Sequence, residues 1–184
     1  MGKHVLLTGS PGVGKTTVIK QVIQKLKENN EEVSGFFTEE VRHAGDRIGF
    51  DIVTVSGQRG VLSRTKEYFQ PEWTAGPMIS KYQVNMLDLE QITLKELEHG
   101  KGFLAVDEIG KMELTSRKFS DKIADCVLRP DVRIFGTIPI QKAGQKSHPV
   151  LDKLRSNNQF EVILVTKANR NSLADQVLSL LLDR

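Results

Sequence analysis

The sequence predicts an α/β fold, with helices covering both faces of a mainly parallel central sheet. Three features carry that expectation. Short apolar runs alternate with amphipathic stretches along the whole chain. The run in "GFLAVDE" is continuously apolar, as a strand buried on both faces of a parallel sheet requires. A glycine loop follows the first apolar run directly and opens into a helical pattern.

The elements follow in order. His4 to Leu7 reads as a strand. In "KTTVIKQVIQKLKENN", Val18, Ile19, Val22, Ile23 and Leu26 recur at helical spacing, and Asn29-Asn30 ends the helix. "VSGFFTEEVR" and "RIGFDIVTV" are rich in β-branched and aromatic residues and flank the turn-like "HAGD", which predicts a β-hairpin on one side of the sheet. "SGQRGVLSR" reads as its glycine-broken continuation. Thr65 to Pro77 has no period and is expected to be a long, mobile loop. "MISKYQV" reads as one strand and "LEQITLKELEHG" as a helix closed by Gly100. Thr115 or Ser116 can cap a helix that buries Phe119, Ile123, Ala124 and Val127 and stops at Pro130. "VRIFGTIPI" is a strand, and "SHPVLDKLRSN" a short helix with Pro149 in its first turn. "EVILVT" reads as the last central strand, and "SLADQVLSLLLDR" as a helix capped by Asn171.

With 184 residues, the chain suits one domain, residues 1–184. Its 39% hydrophobic and 27% charged content fits a globular rather than a disordered chain. No run is long enough to span a bilayer, and "MGKHVLLTGSPG" carries no signal-peptide or myristoylation pattern. The single cysteine, Cys126, cannot pair within the chain, so a cytoplasmic or other reducing compartment is expected. The net charge of +3 is scattered. It suits small anions and specifies no nucleic acid or membrane partner. A monomer is the favoured state.

"GSPGVGKT", Gly9 to Thr16, matches G-x-x-x-x-G-K-[ST] between a strand and a helix. Gly9, Gly12 and Gly14 let the backbone approach phosphates, while amides around Ser10 and Val13 through Thr16 form an anion cradle. Pro11 has no N–H to give. Lys15 can reach β- and γ-phosphate oxygens, and the Thr16 hydroxyl is placed to ligate Mg²⁺. Thr17 is the next helical residue. At the end of "GFLAVDE", Asp107 can support the metal. Along an extended chain Glu108 points to the other side, where it can hold the attacking water. Gly110 completes D-x-x-G, and its amide can meet the γ-phosphate. Lys111 and Glu113 read as solvated, Met112 and Leu114 as core. Thr137 is either a phosphate or water sensor or a plain strand residue. Thr166 to Asn169, "TKAN", is either a degraded guanine motif or an Asn-capped turn. Arg42, Arg59 and Arg64 are candidates for transition-state charge stabilisation, against pairing with Glu39 or Glu40. The histidines have no metal-ligand spacing.

With these residues in hand, the chain resembles the P-loop nucleoside-triphosphatase family that includes the cancer-related nucleoside-triphosphatase. The resemblance covers nearly the whole chain and rests on "HVLLTGSPGVGKTT", "GFFTEEVR", "RIGFDIVT", "SGQRGVLSR", "VDEIGKMEL", "GTIP" and "VTKANRN". It implies a three-layer α/β/α P-loop NTPase fold and Mg²⁺-dependent hydrolysis of several nucleoside triphosphates. It also implies nucleotide contacts from Gly9 to Thr16 and from a second stretch, Phe103, Leu104, Ala105, Val106, Asp107, Glu108, Ile109 and Gly110. A nucleotide or small-molecule kinase and a nucleotide-dependent switch that binds a partner remain the alternative readings.

Overall fold

A computed structural model describes residues 2–182. Five strands make the parallel half of its sheet: β1 (His4–Thr8), β2 (Val33–His43), β7 (Gly102–Val106), β8 (Val132–Thr137) and β9 (Phe160–Leu164). The other half is antiparallel: β3 (Asp46–Thr54), β4 (Arg59–Thr65), β5 (Ala75–Ile79) and β6 (Tyr82–Asn85). All nine form one sheet in the order β5-β6-β4-β3-β2-β7-β8-β1-β9.

The helices are α1 (Lys15–Glu28), α2 (Met86–His99), α3 (Arg117–Val127), α4 (Pro149–Ser156) and α5 (Leu173–Leu182). Alternation along the central strands sends side chains into two separate cores. Val5, Leu7, Ala105 and Phe135 pack with the buried faces of α1 and α5. Leu6, Leu104, Val106 and Ile134 pack on the other side with α2, α3 and α4. This gives the three layers expected. Among the described residues, no helix is long and apolar enough to cross a membrane.

Several elements differ from expectation for identifiable reasons. The predicted hairpin, β2 and β3 turning at Ala44-Gly45, is only the start of a five-stranded antiparallel array that continues through β4, β6 and β5. "SGQRGVLSR" is not a continuation but a third strand, β4, paired to β3. "MISKYQV" is two strands, because Ser80 takes a positive φ of 57° and turns β5 back onto β6. The expected long loop is shortened by a turn of 3-10 helix at Lys66–Tyr68 and by β5, which begins at Ala75. Pro77 is tolerated there because β5 is an edge strand. Helix α2 starts at Met86, a turn before the predicted run. Strand β9 is an edge strand, not a central one, and it exposes Val162 and Leu164. In α3 it is Cys126 that is buried, while Ala124 faces out, and Ser116 supplies the cap by accepting from the Phe119 N–H. Helix α5 begins two residues after Asn171, and Ser172 precedes it. The predicted Asp183 and Arg184 lie outside the described residues.

Strand β8 lies between β1 and β7. The glycine loop and the acid pair therefore leave the sheet two strands apart, with Thr137 at the end of the strand between them. Gly136 makes that spacing possible. A side-chain carbon there would lie 2.0 Å from the Val106 carbonyl oxygen, so any other residue would push β8 away from β7.

His4 begins β1 buried, stacked 4.7 Å from Phe160, with its Nδ1 accepting the Ile134 N–H. Burial, with Arg133 nearby, holds its pKa below the ordinary 6.5. The folded protein thus binds fewer protons here than the unfolded chain, and stability is lost as pH falls below about 6.5. His4→Asn keeps an acceptor but cannot titrate. Urea unfolding at a series of pH values should give a shallower acid-side loss for the variant than for the parent. Parallel losses would mean that His4 is not a contributor.

Candidate functional site

The C-terminal ends of β1, β7 and β8 open onto a cleft of about 850 Å³. One wall is the glycine loop. Helix α1 begins at Lys15, and Gly14 precedes it in a left-handed conformation. Gly12 also has positive φ, 75°, with open space where a side chain would be. Both therefore suit glycine. Gly9, Pro11, Gly12, Gly14, Lys15 and Thr16 line the cleft. The Lys15 ammonium lies over the loop, donating to the carbonyls of Gly9 at 2.9 Å and Ser10 at 3.3 Å.

Asp107 is the floor. It lies just past β7 and is almost fully buried. One carboxylate oxygen accepts from the Thr16 hydroxyl at 2.7 Å, the other from the Thr137 hydroxyl at 2.5 Å. Burial pushes its pKa up, opposed by those two hydroxyls, the Thr38 N–H and the Lys15 charge. Thr137 is thus neither an exposed sensor nor a plain strand residue. Its hydroxyl fixes Asp107. A buried carboxylate touching a threonine hydroxyl, with no ion-pair partner among the described residues, fits the hard-oxygen donor set of Mg²⁺.

Glu108 follows across a cis peptide bond and also lines the cleft. Because β7 ends at Val106, strand alternation does not set its direction, contrary to the sequence expectation. Burial, and next the Asp107 charge, pushes its carboxyl up to about 7, with Lys15 opposing. The backbone then ties back to the sheet, Ile109 N–H donating to the Thr137 carbonyl at 2.9 Å. Among the described residues, Phe103, Leu104, Ala105, Val106, Ile109 and Gly110 do not line the cleft. The strand residues face the two cores, as a central parallel strand must. Ser10 and Val13 shape the loop without lining the cleft. The Val13 N–H closes a turn onto the Ser10 carbonyl at 3.2 Å.

Glu113 overturns its solvated reading. It is almost fully buried, and its carboxylate accepts the Gly110 N–H at 3.1 Å. That amide is therefore turned inward and not toward the cleft. Glu108 and Glu113 converge here. A side-chain carbon on Gly110 would lie 2.4 Å from Glu108 Oε1 and 3.1 Å from Glu113 Oε2. Burial, then Glu108, pushes the Glu113 carboxyl up to about 8. No local sequence signal separates this glutamate from a solvated one. A short 3-10 turn at Glu113–Thr115 directs it inward.

The antiparallel extension supplies the opposite wall through Thr38, Glu39, Glu40, Arg47 and Phe50. Arg42 pairs with Glu40, and Arg59 with Glu39 and Asp51. Arg64 is buried against Asp51. None of the three candidate arginines lines the cleft. Arg47, which the sequence did not single out, does. It is held by Glu40 at 2.8 Å and the Tyr82 hydroxyl at 2.9 Å. "TKAN" is a self-contained turn. Asn169 accepts from the Thr166 N–H at 2.8 Å and donates to the Leu164 carbonyl at 2.8 Å. Arg170, also unforeseen, donates to the Val13 carbonyl behind the glycine loop.

A family model described as NTPase matches residues 4–178. The human cancer-related nucleoside-triphosphatase is 40% identical over 186 residues, covering 97% of this chain and 96% of the human protein. The solution structure of a human cancer-related nucleoside triphosphatase superposes with a TM-score of 0.84, at 39% identity and with 98% of each chain covered. The crystal structure of THEP1 from Aquifex aeolicus gives 0.82 at 33% identity, covering 97% of this chain and 99% of that one.

The Glu113 geometry generates a pH prediction. Its folded pKa of about 8 lies above the ordinary 4.5, so the folded state holds this proton more tightly than the unfolded chain does. The resulting stabilisation is complete below about 4.5 and is lost as pH rises through about 8. Glu113→Gln keeps the shape of the neutral acid. Relative to the parent, it should gain roughly 2–4 kcal/mol between pH 5 and pH 9. Denaturant unfolding at both values measures this, and a constant difference would mean that Glu113 does not titrate in that range.

Proposed function

The chain belongs to the NTPase family, and from that premise we propose a Mg²⁺-dependent hydrolysis in which Glu108 holds the water and Asp107 supports the metal. The nucleoside-triphosphatase activity itself follows from the family. The residue roles are our reading. One observation carries it. Asp107 is buried with its two oxygens on the Thr16 and Thr137 hydroxyls, while Glu108, next in the chain, faces the same cleft as Lys15.

Each residue then has one task. The loop amides and Lys15 bind the β- and γ-phosphates, with Lys15 exchanging its contacts to Gly9 and Ser10 for phosphate oxygens. Thr16 and Asp107 would hold Mg²⁺, which when bound neutralises charge on the phosphate oxygens. Glu108 orients a water toward the γ-phosphorus and accepts its proton, giving nucleoside diphosphate and phosphate. Thr137 keeps Asp107 turned toward Thr16.

Low base selectivity, with ATP and GTP both accepted, is part of the same reading. Its support is the Asn169 amide, occupied within its own turn, and the lack of a carboxylate to match guanine donors there. We read residues 1–184 as one domain acting as a monomer in a reducing intracellular compartment, with the lone Cys126 thiol buried.

Glu108→Gln should leave MgATP affinity nearly unchanged and slow single-turnover phosphate release by roughly 10²–10⁴-fold. Asp107→Asn should instead raise the Mg²⁺ concentration needed for half-maximal rate. Release by Glu108→Gln within a few-fold of the parent would take Glu108 out of the mechanism. In competition binding, GTP and ATP should differ by about tenfold or less. A thousandfold preference would show that some other residue reads the base.

A further inference from the structure

A second cavity, about 440 Å³, adjoins the nucleotide cleft. It lies beyond the ends of β7 and β8, against the start of α4. Lys111, Pro139, Ile140, Lys142 and Gln145 line both spaces, so the two open into one another. Ile79, Leu114, Pro139, Ile140 and Leu151 give it an apolar surface. Arg155 reaches back from α4 to the Pro139 carbonyl at 2.8 Å and the Ser147 hydroxyl at 3.0 Å, which fixes the segment forming its outer wall.

Its charge is one-sided. Lys111, Lys142, Lys146 and Arg155 line it, and no Asp or Glu does. Among the described residues, Lys111, Lys142 and Lys146 have no ion-pair partner, whereas Lys20 and Lys118 elsewhere on the surface are paired with Glu39 and Glu90. Three ammonium groups and a guanidinium thus line an apolar hollow. An anion there meets complementary charge, and an apolar body fills the hollow. On the proposed function, a γ-phosphate at Glu108 with the phosphate chain running back along the glycine loop after β1 directs the base toward β1 and β9, away from Leu114 and Leu151, so the triphosphate alone does not fill this hollow.

We propose that this cavity binds a second small ligand beside the nucleotide: an anion with an apolar body, such as an aromatic carboxylate, sulfonate or phosphate monoester. It enters from the Glu108 side of the cleft, with its anionic group among the lysines and its body against Leu114, Ile140 and Leu151. Binding does not depend on how the nucleotide is hydrolysed.

The probe is 8-anilinonaphthalene-1-sulfonate, an aromatic body with one sulfonate, titrated by fluorescence into the full chain with and without saturating MgADP. The expected result is one saturable site whose affinity changes by less than about tenfold when nucleotide is bound. The uncharged N-phenyl-1-naphthylamine should bind at least about tenfold more weakly. Lys146→Glu combined with Pro149→Glu puts two carboxylates into the cavity. Both positions are exposed, and neither lines the nucleotide cleft. The double variant should lose at least about tenfold in sulfonate affinity while releasing phosphate at the parental rate. No saturable binding, full displacement by MgADP, or equal binding by the neutral dye or by the double variant would each overturn the proposal.

Discussion

The Asp107 carboxylate is the contact on which the candidate site depends. It receives the Thr16 hydroxyl from the first turn of α1 and the Thr137 hydroxyl from the end of β8, while its own N–H donates to Phe36 in β2. One residue, through its side chain and its backbone, thus joins the glycine loop, the intervening strand and β2. A carboxylate buried this deeply is tolerable only because hydroxyls and amides converge on it, and a cation is the partner that would complete it. Glu108 is held between two anchored residues, because the Asp107 N–H donates to Phe36 and the Ile109 N–H to the Thr137 carbonyl.

Burial raises the Glu113 pKa as it raises that of Asp107, but with fewer donors to oppose it. Asp107 is surrounded by donors, whereas Glu113 has the Gly110 amide and a neighbouring carboxylate, Glu108. Without a cation, burial favours the neutral acid at Glu113. The two glutamates share one small space, so the protonation of one conditions the other. In the extension, by contrast, acids and bases alternate. Glu39, Arg59, Asp51 and Arg64 form a continuous series of ion pairs across β2, β3 and β4, which Lys20 of α1 joins at Glu39.

The parts legible in the sequence are those set by neighbours in sequence. The glycine loop, Lys15 and Thr16 occur in one octapeptide, and the strand-to-helix context around it is periodic. Asp107 was legible because a charged residue at the end of a fully apolar run needs a reason. Glu113 was not, because "KMEL" has the composition of a surface turn and only the tertiary fold directs that carboxylate inward. Arg47 and Arg170 were missed for the same reason, since each acquires its role from a partner distant in sequence: Tyr82 for one, Val13 for the other. Strand β9 was misplaced because an apolar run looks the same at an edge as at the centre when the neighbours are unknown. The two-strand reading of the hairpin failed at β4, where Gly57 and Gly60 hid a strand that pairs antiparallel with β3 across a register shift at Phe50/Asp51.

Strand β2 is paired in two ways along its eleven residues. Its first residues, Val33 to Phe36, run parallel to β7, and from Phe36 onward it runs antiparallel to β3. Thr38, Glu39 and Glu40, which face the nucleotide cleft, therefore belong to the same backbone that forms the protein's centre. A cleft built this way has no loop hinge beneath its outer wall. Swinging that wall would bend the paired strands β2 and β3 themselves, whereas hinged enzymes rotate about a few loop residues. Admission and release must instead be the work of side chains and of the irregular segments at the rim. The sheet acts as a fixed frame, and the traffic of substrate is governed at its margins.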